Sequence, residues 1–288
     1  MKTGVFIGLI TLDCIYQTRK ILEPNEKQVA EAVLLAAGGP ATNAAVAFRA
    51  LGNRAILVGA LGGHPLSTVV RDDLMQQGIE LIDLMPNVMK PPPFSSIVVN
   101  VVTGDRAVIS RNAADRPMPK DLPPVGVLQQ ADCVLIDGHQ MSLGQYLARQ
   151  AQAFDLPVVV DAGSWKRGFE TVLPWATAVI ASATFCPPHY GTGTAAIAYL
   201  QALNIPYIAV TQGAHPILYQ TPDQAGEVTV PTIQSVDTLG AGDIFHGAFC
   251  HSSVHGADFI QALSQAAQIA SHSCQFFGTR QWIQALSA

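Results

Sequence analysis

Charge is what this sequence has least of. Asp, Glu, Lys and Arg make up 13% of its 288 residues, about half the usual share, and none occurs between Glu170 and Asp223. The net charge is −5 and the isoelectric point near 5.8. No basic surplus would draw a polyanion, so nucleic-acid binding is not expected. The chain also lacks an apolar run of the ~18 residues that a spanning helix needs. Pro, Gly, His and Gln interrupt its uncharged stretch, so no membrane partner is expected. No C-x-x-C occurs. The cysteines at 14, 133, 186, 250 and 274 are odd in number and scattered, which suggests reduced thiols and a cytoplasmic home. A G-x-x-x-x-G-K-[ST] loop is absent, and no H-x-x-E-H spacing suggests zinc. Lys2 before Val5–Ile10 is a poor secretion signal, because the run is short and Asp13 follows it; a first buried strand is the better reading.

What the chain does have is core. Its hydrophobic fraction is 49%, and its length suits one large domain over 1–288. Apolar runs at Val5–Ile10, Ala55–Gly59, Cys133–Ile136, Val158–Val160, Ala178–Ile180 and Tyr207–Val210 read as strands covered on both faces. Between them fall helical stretches at Thr42–Leu51, Pro65–Gln76, Ser142–Ala153, Thr194–Leu203, Gly242–Val254 and Ala257–Phe276. Gly52, Gly78 and Gly256 stand where helices stop. This alternation predicts a doubly wound, mostly parallel α/β sheet. Two segments depart from it. Ile97–Val102, a turn at Thr103–Arg106 and Ala107–Ser110 read as a hairpin, and Ile15–Leu35 has no helical period. Lid strands are therefore expected within 13–36 and 94–111, as a flap over a substrate; an ordinary hairpin remains the alternative.

The sharpest motif is Asp237-Thr-Leu-Gly-Ala-Gly-Asp243 at the head of a helix. Gly240, Ala241 and Gly242 allow close backbone approach, and free amides with the helix dipole favour an anion there. A carboxylate beside such a site makes sense as a base that takes a proton from an attacking hydroxyl. Spacing alone leaves Asp243 equally readable as a cap. A second motif, Gly38-Gly-Pro-Ala-Thr-Asn43, also opens a helix. Asn43 offers donor and acceptor to a sugar hydroxyl, and Asp13 lies just past the first strand, where open α/β sheets bind ligands. A cap at Asn43 and a turn at Asp13 remain the plainer readings. Gly191-Thr-Gly-Thr-Ala-Ala196 mimics a dinucleotide fingerprint but follows prolines, not a strand.

Together the two motifs resemble the signatures of the ribokinase, or pfkB, family of carbohydrate kinases. The likeness runs from Gly8-Leu-Ile-Thr-Leu-Asp13 to Gly278 and is closest to ketohexokinase-like members. It implies a three-layer α/β/α core with a small β-sheet lid, and ATP and Mg²⁺ as cofactors, often with a monovalent cation such as K⁺. By position it implies Asp243 as catalytic base and Gly240, Ala241 and Gly242 as anion hole. It assigns Asp13, Gly39 and Asn43, with Arg111 and Asn112 from the lid, to the sugar. Thr211 and Gly213 in a nucleotide-side turn, with Ala267 near adenine, are its ATP residues. The expected partners are a small ketohexose- or ribose-like sugar and ATP. A homodimer through the lid stays open, since family lids often pair. The family's Asn-x-x-Glu is replaced by Ser182-Ala-Thr-Phe185, which leaves the metal residues unknown; Asp243 and phosphate oxygens acting through water are one way to hold the ion. A nucleoside kinase and a non-catalytic sugar-binding regulator are the alternatives.

Overall fold

The computed structural model describes residues 1–113, 123 and 125–286. Its main sheet is built of strands β1 (Thr3–Ile7), β4 (Arg54–Gly59), β5 (Glu80–Asp83), β8 (Cys133–Ile136), β9 (Val158–Ala162), β10 (Ala178–Ser182), β11 (Tyr207–Gln212), β12 (His215–Gln220) and β13 (Ala225–Val228). Their order across the sheet is β13-β12-β11-β10-β9-β8-β1-β4-β5. All pairings from β5 to β11 are parallel, and β12 and β13 join antiparallel at one edge. Successive side chains on a strand point to opposite faces, and here both faces are apolar. Val5 and Ile7 enter one core, with Val134 and Val160. Phe6 enters the other, with Leu57 and Leu135. Helices α1 (Pro40–Ala50), α6 (Ala241–Val254) and α7 (Phe259–Ser273) cover the Phe6 face. Helices α3 (Met141–Gln152), α4 (Phe169–Val172) and α5 (Thr194–Ala202) cover the other.

The first strand is shorter than the apolar run predicts. It stops at Ile7, because a Cβ on Gly8 would lie 2.1 Å from the Asp137 carboxylate. Asp137 takes that space to accept the amides of Leu9, at 2.9 Å, and Ala41, at 3.0 Å. The chain then turns into a second sheet, ordered β3-β2-β6-β7, of β2 (Thr11–Thr18), β3 (Ala32–Gly38), β6 (Phe94–Asn100) and β7 (Arg106–Arg111). Asp13 is thus the third residue of β2, not a loop residue past the first strand. Ile15 and Ile97 face inward against Phe277 and Leu239. By alternation Asp13 shares that inner face. Chain order reverses where β1 lies between β8 and β4, the kind of switch point that opens a ligand crevice beyond the strand ends.

Candidate active site

Two helix starts meet at that crevice. Gly39 precedes α1 with φ 102°, and a Cβ there would sit 2.2 Å from the Leu9 carbonyl. Only glycine accepts both conditions. Pro40 opens the helix without losing a needed donor. Gly240 precedes α6 with φ 72° and presses on Thr279, whose methyl would lie 2.8 Å from a Cβ. The helices can touch because Gly247 faces Ala44; a Cβ on Gly247 would come within 2.3 Å of the Ala44 carbonyl oxygen. This contact brings their first turns together, and Asn43 Nδ2 donates to Asp243 Oδ2 at 2.8 Å.

The amides of Gly240, Gly242 and Asp243 donate to no acceptor among the described residues. That of Ala241 is partly committed, at 3.3 Å from the Thr238 carbonyl, so the free donors here are those of Gly240, Gly242 and Asp243 more than that of Ala241. Open space surrounds Gly242. Beside these donors, burial and the charge of Asp161 push the Asp243 carboxyl up to about 7, against the hydrogen bond from Asn43. Asp161, the fourth residue of β9, is raised chiefly by burial. Its side chain is 8% exposed and accepts no hydrogen bond among the described residues; its nearest polar partner is His246 Nδ1, at 3.7 Å. The buried His246 ring also sets Nδ1 2.7 Å from the Gly242 carbonyl and Nε2 3.2 Å from that of Ile180.

On the small sheet, Asp13 accepts from Thr11 Oγ1 at 2.7 Å, and Gly38 leaves room for its carboxylate. Burial raises Asp13, opposed by hydrogen bonds from Thr11 and Ser95 and by the charge of Arg280. Ser95 Oγ lies 3.1 Å from Ser110 Oγ, which donates to Asn112 Oδ1 at 3.0 Å. Asn112 follows Ser110 by two residues and falls on the Asp13 face of the lid sheet. Arg111 pairs with Phe94 and takes the alternate face. Hydrogen bonds therefore link Asn112 to the Asp13 side through Ser110 and Ser95. The tip of the β6–β7 hairpin docks nearby: Arg106 Nη1 donates to Thr238 Oγ1 at 2.6 Å, and Thr238 Oγ1 donates to the Gly104 carbonyl at 3.2 Å.

Thr211 lies in β11 beside Ser182, and Gly213 turns the chain toward β12 with φ 63° and open space around it. Ala267 is buried in the core of α7 at 2% exposure, so it presents no open surface to a base. At Ser182–Phe185, where the resemblance calls for Asn-x-x-Glu, the hydroxyls of Ser182 and Thr184 both donate to the Gly163 carbonyl. Sequence reasoning missed Asp137, Asp161 and Arg280. The first two carried a signal, an acidic residue closing an apolar run; Arg280 carried none. No Lys or Arg lies between Arg167 and Arg280, so any cation near the start of α6 comes from elsewhere in the chain, as Arg106 does at Thr238. Elsewhere, a cavity of about 450 Å³ opens at the other ends of β9 to β11, lined by Tyr207, Phe249 and Phe259, and holds none of these groups. His251 and His255, one turn apart, both bond Asn53. Among the described residues no three His, Cys, Asp or Glu gather as metal ligands, and no helix is long and apolar enough to cross a membrane.

The family model for "pfkB family carbohydrate kinase" matches residues 1–285. The chain belongs to the pfkB family of carbohydrate kinases. This carbohydrate kinase is 24% identical to ribokinase of Bacillus subtilis, over 97% of its length and 95% of the relative's. It is 24% identical to mouse ketohexokinase, over 96% and 97%, and 26% identical to deoxyribokinase of Salmonella typhi, over 95% and 93%. Its fold is that of solved ribokinases. A putative ribokinase from Agrobacterium tumefaciens superposes with a TM-score of 0.83 at 24% identity, covering 100% of this chain and 99% of that one. Arabidopsis thaliana ribokinase, complexed with ribose and ATP, gives 0.79 at 20% identity over 100% and 99%.

Proposed function

We propose that this kinase transfers the γ-phosphoryl of ATP in line to a primary hydroxyl of a small ketohexose- or ribose-like sugar, with Asp243 as general base. One observation carries the reading: a buried carboxylate raised to about 7 stands beside unengaged amides at a helix start, with open space at Gly242. Asp243 takes the hydroxyl proton as the oxygen attacks. The amides of Gly240, Gly242 and Asp243 meet the charge that develops on the phosphoryl oxygens. Asp13 and Asn43 hold neighbouring hydroxyls, with Asn112 from the lid, and the small sheet excludes water. Mg²⁺, implied by the family, fits this site, because Asp161 is a buried carboxylate with no hydrogen bond among the described residues. Asp161 would hold it through water and phosphate oxygens, and bound Mg²⁺ supplies neutralisation of phosphate charge. The outer face of the small sheet exposes Tyr16, Val33, Leu35 and Ile109, which supports a homodimer through that sheet.

Asp243→Asn tests the mechanism. Turnover falls by about 10² or more while calorimetric sugar binding stays near wild type; near-normal turnover overturns the assignment. A panel of sugars and nucleosides, scored by ATP consumption, identifies the acceptor.

A further inference from the structure

Arg280 reaches the base through one intermediary. It precedes the short helix α8 (Gln281–Ala285), far in sequence from either substrate motif. Its side chain is 10% exposed. Nη1 donates to Asn43 Oδ1 at 3.1 Å and to Thr279 Oγ1 at 2.9 Å. Nη2 donates to the Ala37 carbonyl at 2.6 Å and to Asp73 Oδ2 at 3.1 Å. Nε is buried with no partner among the described residues. Asp73 comes from α2 (Pro65–Gln76), and its Oδ2 also accepts the Ala37 amide at 2.9 Å.

Stability alone does not account for this arrangement. A buried ion pair is commonly replaced by apolar side chains at no loss of stability, and the unpaired Nε adds a cost. The geometry gives another reason. A guanidinium has donors and no acceptor, so the atom that Asn43 turns toward Arg280 must be its carbonyl oxygen. The amide NH₂ is then left facing Asp243, at 2.8 Å. With Asn43 free to flip, its oxygen would oppose the carboxylate. We infer that Arg280 is a positioning residue for phosphoryl transfer: its fork fixes the Asn43 amide, which in turn fixes the carboxylate that receives the hydroxyl proton. The same fork grips Ala37, just before Gly38 and Gly39, and so ties the base to the strand end from which the lid sheet departs.

This inference rests on the reading of Asp243 as base, and a double-mutant cycle separates the two. Arg280→Met lowers kcat about 10- to 100-fold, measured per folded enzyme well below its melting temperature, and leaves KM for ATP within twofold. Made on an Asn43→Ala background, the same change costs less than a further twofold, because the group it acts through is gone. Recurrence of the full factor on that background overturns the inference, as does a rise in KM with kcat unchanged. Arg280→Lys keeps the charge without the fork and is read by the same two outcomes if the methionine variant does not fold. Asp243→Asn stands apart: normal turnover there removes the base itself, whatever the cycle gives.

Discussion

At the residue scale, Asp243 is held where its chemistry is useful and its folding is not. Its ordinary value is 3.8, and the fold raises it to about 7. A group whose folded value is raised binds more protons folded than unfolded, so stability is lost as pH climbs between those values. Activity runs the other way, because a base must be ionised to accept a proton. Two results follow. In the free enzyme kcat/KM climbs through an acid limb near pH 7, read from initial rates across pH. Asp243→Asn melts above wild type at pH 8, and the gap closes toward pH 4 in scanning calorimetry. An equal gap at both ends would mean that the carboxylate is not strained by its surroundings. The glycines around Asp243 were legible in sequence because one short segment contains the whole pattern. Arg280 was not legible, since its meaning lies in Asn43, Ala37 and Asp73, which only folding brings to it. Asp161 sits between: its strand was visible, but not that its buried carboxylate would accept no hydrogen bond among the described residues.

At the element scale, the site depends on how closely α1 and α6 approach. Ala44, Ala47 and Gly247 line that contact, and a Cβ on Gly247 would lie 2.3 Å from the Ala44 carbonyl oxygen and 2.8 Å from the Ala47 methyl. Gly247→Ala places a methyl against a backbone oxygen, and overpacking of this kind costs about 1–3 kcal/mol. The urea midpoint falls with the slope unchanged, and turnover falls further than stability because Asn43 and Asp243 are parted. Turnover unchanged per folded enzyme would show that the helices need not meet so closely. The parallel strands other than β5 were readable as apolar runs; β5, with Glu80 and Asp83 at its ends, was not. Their limits were less so: β1 ends early because Asp137, distant in sequence, occupies the space beside Gly8. Strands β12 and β13 escaped notice for another reason. They form an antiparallel edge in which apolar and polar residues mix, so no continuous run marks them.

At the scale of the whole molecule, the larger sheet provides a rigid floor and the smaller one a wall. The wall's inner side carries Asp13, and its outer side is apolar. If that outer side pairs, Ile109→Lys, a change at a residue 80% exposed, shifts the protein to monomer in light scattering while the melting temperature barely moves. A wild-type monomer at micromolar concentration would remove the pairing. The layered α/β architecture was legible because alternation of strand and helix is a global pattern. Which lid residues face outward was not, since exposure cannot be read from composition.

The stretch without basic residues around Gly240–Asp243 has a practical result. Trypsin cuts after Lys and Arg, so from Gly168 to Arg280 it finds nowhere to cleave. Digestion leaves Asp161 and Asp243 on different fragments and buries the second in one oversized, hydrophobic peptide. Mass-spectrometric mapping of labels on this half therefore calls for a protease that cuts beside aromatic side chains.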